Sequence, residues 1–328
     1  MRGSRFSNFL FKRTIISITV LFAISLLIFL IVQLIPGDAV DILLGGISEQ
    51  SLGQETIKAL RDQFGLDLPL HIQYLNWING VMRGDLGTSL MFNMPITPIV
   101  LTRLKTSLIL AIPAGLMMVV FGLGIGVLCA VKENKFIDHF LSVSSLGAIS
   151  VPSFVIGSIF IYIFAVKLGW VPAAFNAFDY SKFSFLGKIT FFFSALIFPC
   201  LTLSFQIVAH IARHTRASMI GELKTQYFRT AILKGVSPRR AILKHALRNA
   251  LLPSITVIAI NIGYLIGGVV IIEIVFSYPG IGNLVLMAIK YRDVPLILST
   301  MLVVSGGYVF ANFFADVLYI FLNPRIRY

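Results

Sequence analysis

Six stretches of this chain contain no Asp, Glu, Lys or Arg: Thr14–Pro36, Thr106–Val131, Phe140–Val166, Ile189–Ala212, Leu251–Ile272 and Val294–Ala315. A helix needs about 20 apolar residues to cross a hydrocarbon core of about 30 Å, and every run is that long. Lipid offers the backbone no hydrogen bonds, so runs of this kind must satisfy their own and fold as helices. Composition agrees. Hydrophobic residues make up 57% of the chain and charged residues only 12%, against about 25% charged in a soluble domain. The expected class is an all-α polytopic membrane protein with six transmembrane helices in one domain spanning 1–328. The first run exceeds a signal-peptide core and ends in Leu34-Ile35-Pro36-Gly37-Asp38 rather than a small-residue cleavage site, so it reads as a retained helix.

Six crossings place both termini on one side. If that side is the cytoplasm, the inside segments are 1–13, 132–139, 213–250 and 316–328, and the outside segments are 37–105, 167–188 and 273–293. Seventeen of the 27 Lys and Arg then lie inside, although the inside segments are shorter in total. Positive residues in short loops stay in the cytoplasm, so both ends are expected there. The same distribution accounts for the net charge of +13 without nucleic acid and leaves membrane lipid as the natural neighbour. In the outer loop 37–105, Ile57, Leu60 and Phe64 recur at helical spacing, as do Ile72, Leu75 and Ile78, with Pro69 between the two sets. Two short amphipathic helices are expected. Cys129 and Cys200 lie inside apolar runs and read as small packing residues.

Segment 213–250 carries nine basic residues against a single acid, Glu222, and is longer than a turn between helices requires. Tyr227–Lys234 favours a short helix, with Gly235 where a left-handed cap would stand. Ser237 is then an N-cap and Pro238 a first helical residue, opening a second helix that runs to about Asn249. The alternative is a basic surface loop against anionic lipid. It requires no fixed turn.

Several motifs in this order resemble one family. Tyr227-Phe228-Arg229-Thr230-Ala231, Lys234-Gly235 and His245-Ala246-Leu247-Arg248-Asn249-Ala250-Leu251-Leu252-Pro253 are similar to the cytoplasmic signature of bacterial ABC importer permeases. The narrower resemblance is to the dipeptide, oligopeptide and nickel branch, in the first of its two paired membrane subunits. Gly65-Leu66-Asp67, Arg83-Gly84-Asp85-Leu86-Gly87-Thr88-Ser89, Pro279-Gly280-Ile281-Gly282, Arg292-Asp293 and Asn323-Pro324-Arg325 extend it over nearly the whole chain. Arg229-Thr230-Ala231 departs from the Glu-Ala-Ala of the broader signature, and only Leu247 agrees with its Ile-x-Leu-Pro close. Both departures are usual in the narrower branch. Val155 stands where the family often has Trp.

The resemblance implies the type I ABC importer transmembrane-domain fold. It implies a second homologous permease subunit, two ATP-binding subunits on the cytoplasmic side, and an extracytoplasmic solute-binding protein. It implies that Tyr227, Arg229, Thr230, Ala231, Lys234, Gly235 and Ser237 belong to a coupling segment seated on an ATPase subunit. The implied cargo is di- or oligopeptide, or alternatively a nickel complex.

Inside the runs, Gln206, Asn261 and His210 are polar and contact either other helices or the path. Glu273 closes the fifth run, paired at an outer gate or facing substrate. Pro113, Pro152 and Pro199 can kink their helices. Gly122, Gly124, Gly126, Gly263 and Gly267 suit close helix contact or gating. No GxxxxGK[ST] loop, HExxH pair or GxSxG turn occurs, so neither its own ATPase site, a catalytic residue, a metal nor a cofactor is expected. An ion-coupled carrier is the alternative of another class. It would normally hold charge at the midplane, and the six runs hold none.

Overall fold

A computed structural model describes residues 2–34, 68–171 and 185–322. Helix α1 is Arg2–Gln33, and α2 is Leu70–Met82. A two-residue hairpin, β1 Thr88–Ser89 and β2 Met94–Pro95, precedes α3, Ile96–Val131. Then come α4 Phe136–Ser150, α5 Ser153–Lys167, α6 Phe185–Leu223, α7 Gln226–Leu233, α8 Pro238–Val275, α9 Ile281–Lys290 and α10 Val294–Leu322. Among the described residues, five helices are long and apolar enough to cross a membrane, and α4 with α5 makes a sixth crossing if the bent pair is one span.

The third apolar run is therefore not straight. α4 and α5 meet at 103° across Val151-Pro152. Pro152 cannot continue the helix that precedes it, and Gln206 of α6 donates its side-chain N–H to the carbonyl of Val151 at 2.5 Å. Pro113 and Pro199 lie inside unbroken helices. Two helices run past their apolar cores: α6 continues to Leu223, and α8 begins at Pro238, so the second helix expected to end near Asn249 merges into the fifth spanning helix. Within α8 the backbone is π-helical over Ala241–Ala246.

The chain divides into two compact units. One comprises Leu108–Tyr278 with Met1–Phe11 and Phe310–Tyr328. Its core interleaves Leu110 and Met118 of α3, Cys200, Leu203 and Ile211 of α6, and Leu265 and Ile272 of α8. Both cysteines are buried and free. α3 and α6 approach at glycine. A Cβ built on Gly126 would lie 2.5 Å from the Thr215 Cβ and 2.7 Å from the Ala212 carbonyl, and one on Gly122 would lie 2.7 Å from Ile211. Gly263 abuts Asn312 of α10, whereas Gly124 and Gly267 have open space. Gly126→Ala is therefore expected to cost about 1–3 kcal/mol through overpacking and to lower the melting temperature of the purified protein. Gly124→Ala should leave it unchanged. Equal effects of the two would contradict this packing.

The other unit comprises Lys12–Ser107 and Pro279–Val309. Its core joins Ile28 and Phe29 of α1, Tyr74 of α2, Ile96 and Val100 of α3, Leu284 of α9 and Leu296 of α10. The expected helix around Ile72, Leu75 and Ile78 is present as α2, but Tyr74, Trp77 and Ile78 make its inward face and Leu75 is exposed. The Tyr74 hydroxyl shares a 2.8 Å hydrogen bond with Ser25, and its ring meets Phe29 edge-on at 5.4 Å. These contacts turn the helix. The expected helix around Ile57 and Phe64 lies outside the described residues, as do Leu66, Asp67 and the Asn323-Pro324-Arg325 motif. Asp293 caps α10. Its carboxylate, fully buried, accepts the N–H of Leu296 at 3.1 Å, that of Met91 at 3.0 Å and the Ser89 hydroxyl at 2.5 Å. The cap thereby ties α10 to the hairpin.

Candidate functional site: the basic helix–turn–helix

The described part of the basic segment builds from α6 through α7 to α8. Thr225 precedes α7 with extended backbone, and its hydroxyl donates to the Glu222 carbonyl at 2.6 Å. α7 ends at Lys234. Gly235 has φ +81, its N–H bonds the carbonyl of Ile232 at 2.9 Å, and the N–H of Val236 bonds that of Ala231 at 3.2 Å. This pair of bonds with a left-handed residue is a Schellman cap. Ser237 takes the N-cap position and Pro238 the first turn, but the Ser237 side chain makes no capping bond. Its carbonyl accepts the Ala241 N–H at 2.9 Å. The turn is therefore fixed by backbone geometry at Gly235 and by the φ preset of Pro238.

Tyr227 locks α7 to the two long helices. Its hydroxyl donates to the Glu222 carboxylate on α6 and accepts from the Asn249 amide on α8 at 3.0 Å. Burial, and then the hydrogen bond to Glu222, raise the tyrosine pKa, which keeps the donor proton in place. Beneath it, Phe228 packs against a cluster of Ala130, Met219, Ala246 and Ala250. Arg229, Thr230 and Lys234 remain exposed, as do Gly235 and Ser237, while Ala231 is half-buried. Leu233 is 86% exposed, its neighbour Ile232 is exposed, and so is Leu243 on α8. Arg239 and Arg240 are exposed at the start of α8. The seven residues expected to act together thus lie on one short capped helix and its turn, and the side chains left unsatisfied by the fold are apolar and basic.

A buried ion pair at the base of this assembly was not legible beforehand. Asp138 of α4 is wholly buried and takes two hydrogen bonds from Arg216 of α6, Nε at 2.5 Å and Nη2 at 2.7 Å. It also accepts the Asn134 N–H at 3.0 Å and the Ser142 hydroxyl at 3.3 Å. Glu133 pairs with Lys224 at 2.8 Å. Two acids in the otherwise basic short segment 132–139 were the available signal. In addition, Thr215 bonds Ser254 at 3.0 Å, and Ser218 bonds the Ala250 carbonyl at 3.1 Å. α4, α6 and α8 are thus joined by polar contacts where α7 attaches.

The family is decided by two matches that together cover almost the whole sequence. Residues 122–328 match the family model described as the binding-protein-dependent transport system inner membrane component, and residues 6–111 match the N-terminal part of such membrane components. The chain belongs to this permease family. It is similar to the probable peptide ABC transporter permease protein y4tP of Sinorhizobium fredii, with 38% identity over 320 residues, 98% of this chain and 99% of the relative. It is also similar to the glutathione transport system permease protein GsiC of Escherichia coli K12, with 35% identity over 321 residues, 98% of this chain and 99% of that protein. The permease is accordingly an all-α, inner-membrane subunit of an ABC importer of the type I fold. Such a subunit works with ATP-hydrolysing and solute-binding partners.

The residues expected at a path or gate are dispersed. Gln206 is spent on the Val151 carbonyl, so it holds the α4–α5 bend. The Asn261 amide donates to the Val257 carbonyl of its own helix at 2.7 Å. Glu273 is wholly buried near the end of α8, and its carbonyl accepts the N–H of the buried Tyr278 at 2.8 Å. His210 is exposed on α6. No cluster of three metal-ligating side chains occurs among the described residues.

Proposed function

We propose that this permease forms part of the path by which di- or oligopeptides cross the cytoplasmic membrane, as one domain with both termini in the cytoplasm, paired with a second, homologous permease subunit. The peptide assignment is supported by the names of relatives, peptide and glutathione permeases matched along their full length. The energy enters through segment 213–250, and Tyr227, Arg229, Thr230, Ala231, Lys234, Gly235 and Ser237 form its contact with one of two ATPase subunits. One observation carries this reading. A rigid, Schellman-capped helix exposes Leu233 and Ile232 beside basic residues, while Tyr227 and Phe228 fasten it to the two longest helices of the unit. A lever that moves spanning helices as rigid bodies needs that combination of a fixed turn and a free apolar face.

The test is ATP-dependent uptake of labelled peptide by proteoliposomes holding the permease pair, the ATPase subunits and the binding protein. Uptake should require all of them. Peptide uptake at the background level, with robust uptake of another solute, would contradict the peptide assignment. The chain purified free of its partners should hydrolyse no ATP, and turnover in such a preparation would contradict a purely transporting role. Leu233→Asp places a charge in the middle of the proposed contact. It is expected to weaken ATPase co-purification about tenfold, the scale of an interface residue worth 1–2 kcal/mol, without changing membrane abundance.

A further inference from the structure

Beside the helix–turn–helix, α3, α4 and α6 line an open-sided cavity of about 170 Å³ that the coupling role does not use. Its lining is mixed. Arg213, Arg216, Ser142 and Ser145 are its polar members, and Ile125 and Leu146 are apolar. Arg216 spends its Nε hydrogen and one Nη2 hydrogen on Asp138. A guanidinium carries five N–H donors, so among the described residues the end-on fork made by Nη1 and the second Nη2 hydrogen is left over. The buried, fully engaged Asp138 carboxylate holds the plane of that fork still. Arg213 stands three residues earlier on the same helix, which places it on the same face. It is exposed and makes no hydrogen bond or ion pair among the described residues. Two guanidinium groups on one helix face, one of them held by Asp138, offer the charge-assisted donors that a phosphate group takes.

The surroundings indicate where that phosphate comes from. On α4, two residues before and after Asp138 and so on the opposite face of the helix, Phe136 is 81% exposed and Phe140 59% exposed, with their rings stacked at 6.1 Å. Val143 and Leu146 are exposed on the same helix. Leu146 lines the cavity, and bare apolar side chains on the helix that supplies part of a charged cavity mark the level where acyl chains meet headgroups. We propose that the cavity holds the phosphate of an anionic phospholipid from the surrounding leaflet, with Arg213 and the free fork of Arg216 on the phosphate and Ile125 and Leu146 against the first acyl carbons. A lipid seated there bridges α3, α4 and α6 at the end of the bundle where α7 attaches. The inference depends on the family's membrane placement and not on the coupling role of α7, so either can fail alone.

The test uses the assembled transporter in nanodiscs containing phosphatidylglycerol with a photoactivatable group near the top of one acyl chain. Crosslinks are expected on the peptides carrying Ile125 and Leu146. Arg213→Ala should lower their yield at least about fivefold, the effect of removing one basic residue at an anionic surface. Arg213→Lys should restore most of it, and Arg240→Ala should leave it unchanged. Because Arg213 is exposed and makes no hydrogen bond or ion pair among the described residues, the alanine variant should assemble normally, and Arg213→Gln provides a second variant of similar length. Unchanged crosslinking in both the alanine and glutamine variants, or none at Ile125 and Leu146 in the native protein, would overturn the proposal. Millimolar inorganic phosphate should not compete. Loss of the crosslinks to it would overturn the lipid assignment in favour of a soluble anion.

Discussion

Gly235→Val is expected to abolish most transport while leaving the protein in the membrane at normal abundance. Gly235 sits at φ +81, a region that costs a residue with a Cβ about 1–2 kcal/mol and a β-branched one more. Nothing lies within 4 Å of where its Cβ would stand. The penalty is therefore backbone strain alone, and the chain relieves it by giving up the two cap bonds from Gly235 and Val236. α7 then loses its fixed angle to α8, although none of the spanning helices depends on this turn. At 1.4 kcal/mol per factor of ten, uptake should fall at least about tenfold, with ATPase subunits bound weakly or hydrolysing without transport. Gly235→Asn should retain more activity, because Asn tolerates the left-handed region. If the segment were only a basic loop on lipid, Gly235→Val would be nearly silent and neutralising Arg239 and Arg240 would matter more. Measuring uptake and co-purification in both sets of variants separates the two accounts.

Arg216→Ala should have the largest effect on stability. It leaves the Asp138 carboxylate wholly buried without its cation, and removing one partner of a buried pair costs about 3 kcal/mol or more. Asp138→Ala should cost less, because the Arg216 side chain keeps 30% of its surface exposed and can turn toward water. In a double-mutant cycle, followed by the melting temperature of the purified complex, the double alanine variant should be no worse than Arg216→Ala alone. Strict additivity of the two losses would show that the residues do not act as a pair.

These residues also show where sequence reading succeeds. Gly235 and Pro238 act through their own backbone, so the turn they make is local chemistry and is legible without neighbours. The spanning helices are legible because lipid permits few alternatives to a 20-residue apolar run. The end of the second helix was misjudged for a related reason. Nothing between Arg248 and Leu252 stops a helix, and Pro253 is accommodated inside α8, so the helix that opens at Pro238 and the fifth span are one continuous rod. Pro152 signals a break, but its 103° angle depends on packing and on Gln206, which lies 55 residues beyond the Val151 whose carbonyl it holds. Asp138 and Arg216 are 78 residues apart, and no local pattern pairs them. The GxxxG spacing at Gly263 and Gly267 is likewise only half meaningful, since only Gly263 is pressed against a neighbouring helix residue.

The most direct test of the central claim is a photo-crosslinking residue placed at Leu233 in the assembled transporter. Leu233 lies at the exposed end of α7, where the account seats an ATPase subunit. A second probe at Met94, exposed on the hairpin, serves as the comparison. The Leu233 probe is expected to capture the ATPase subunit in high yield, and the Met94 probe is expected to capture none. Capture of lipid alone from Leu233, with ATPase subunits present and active in the same preparation, would contradict it.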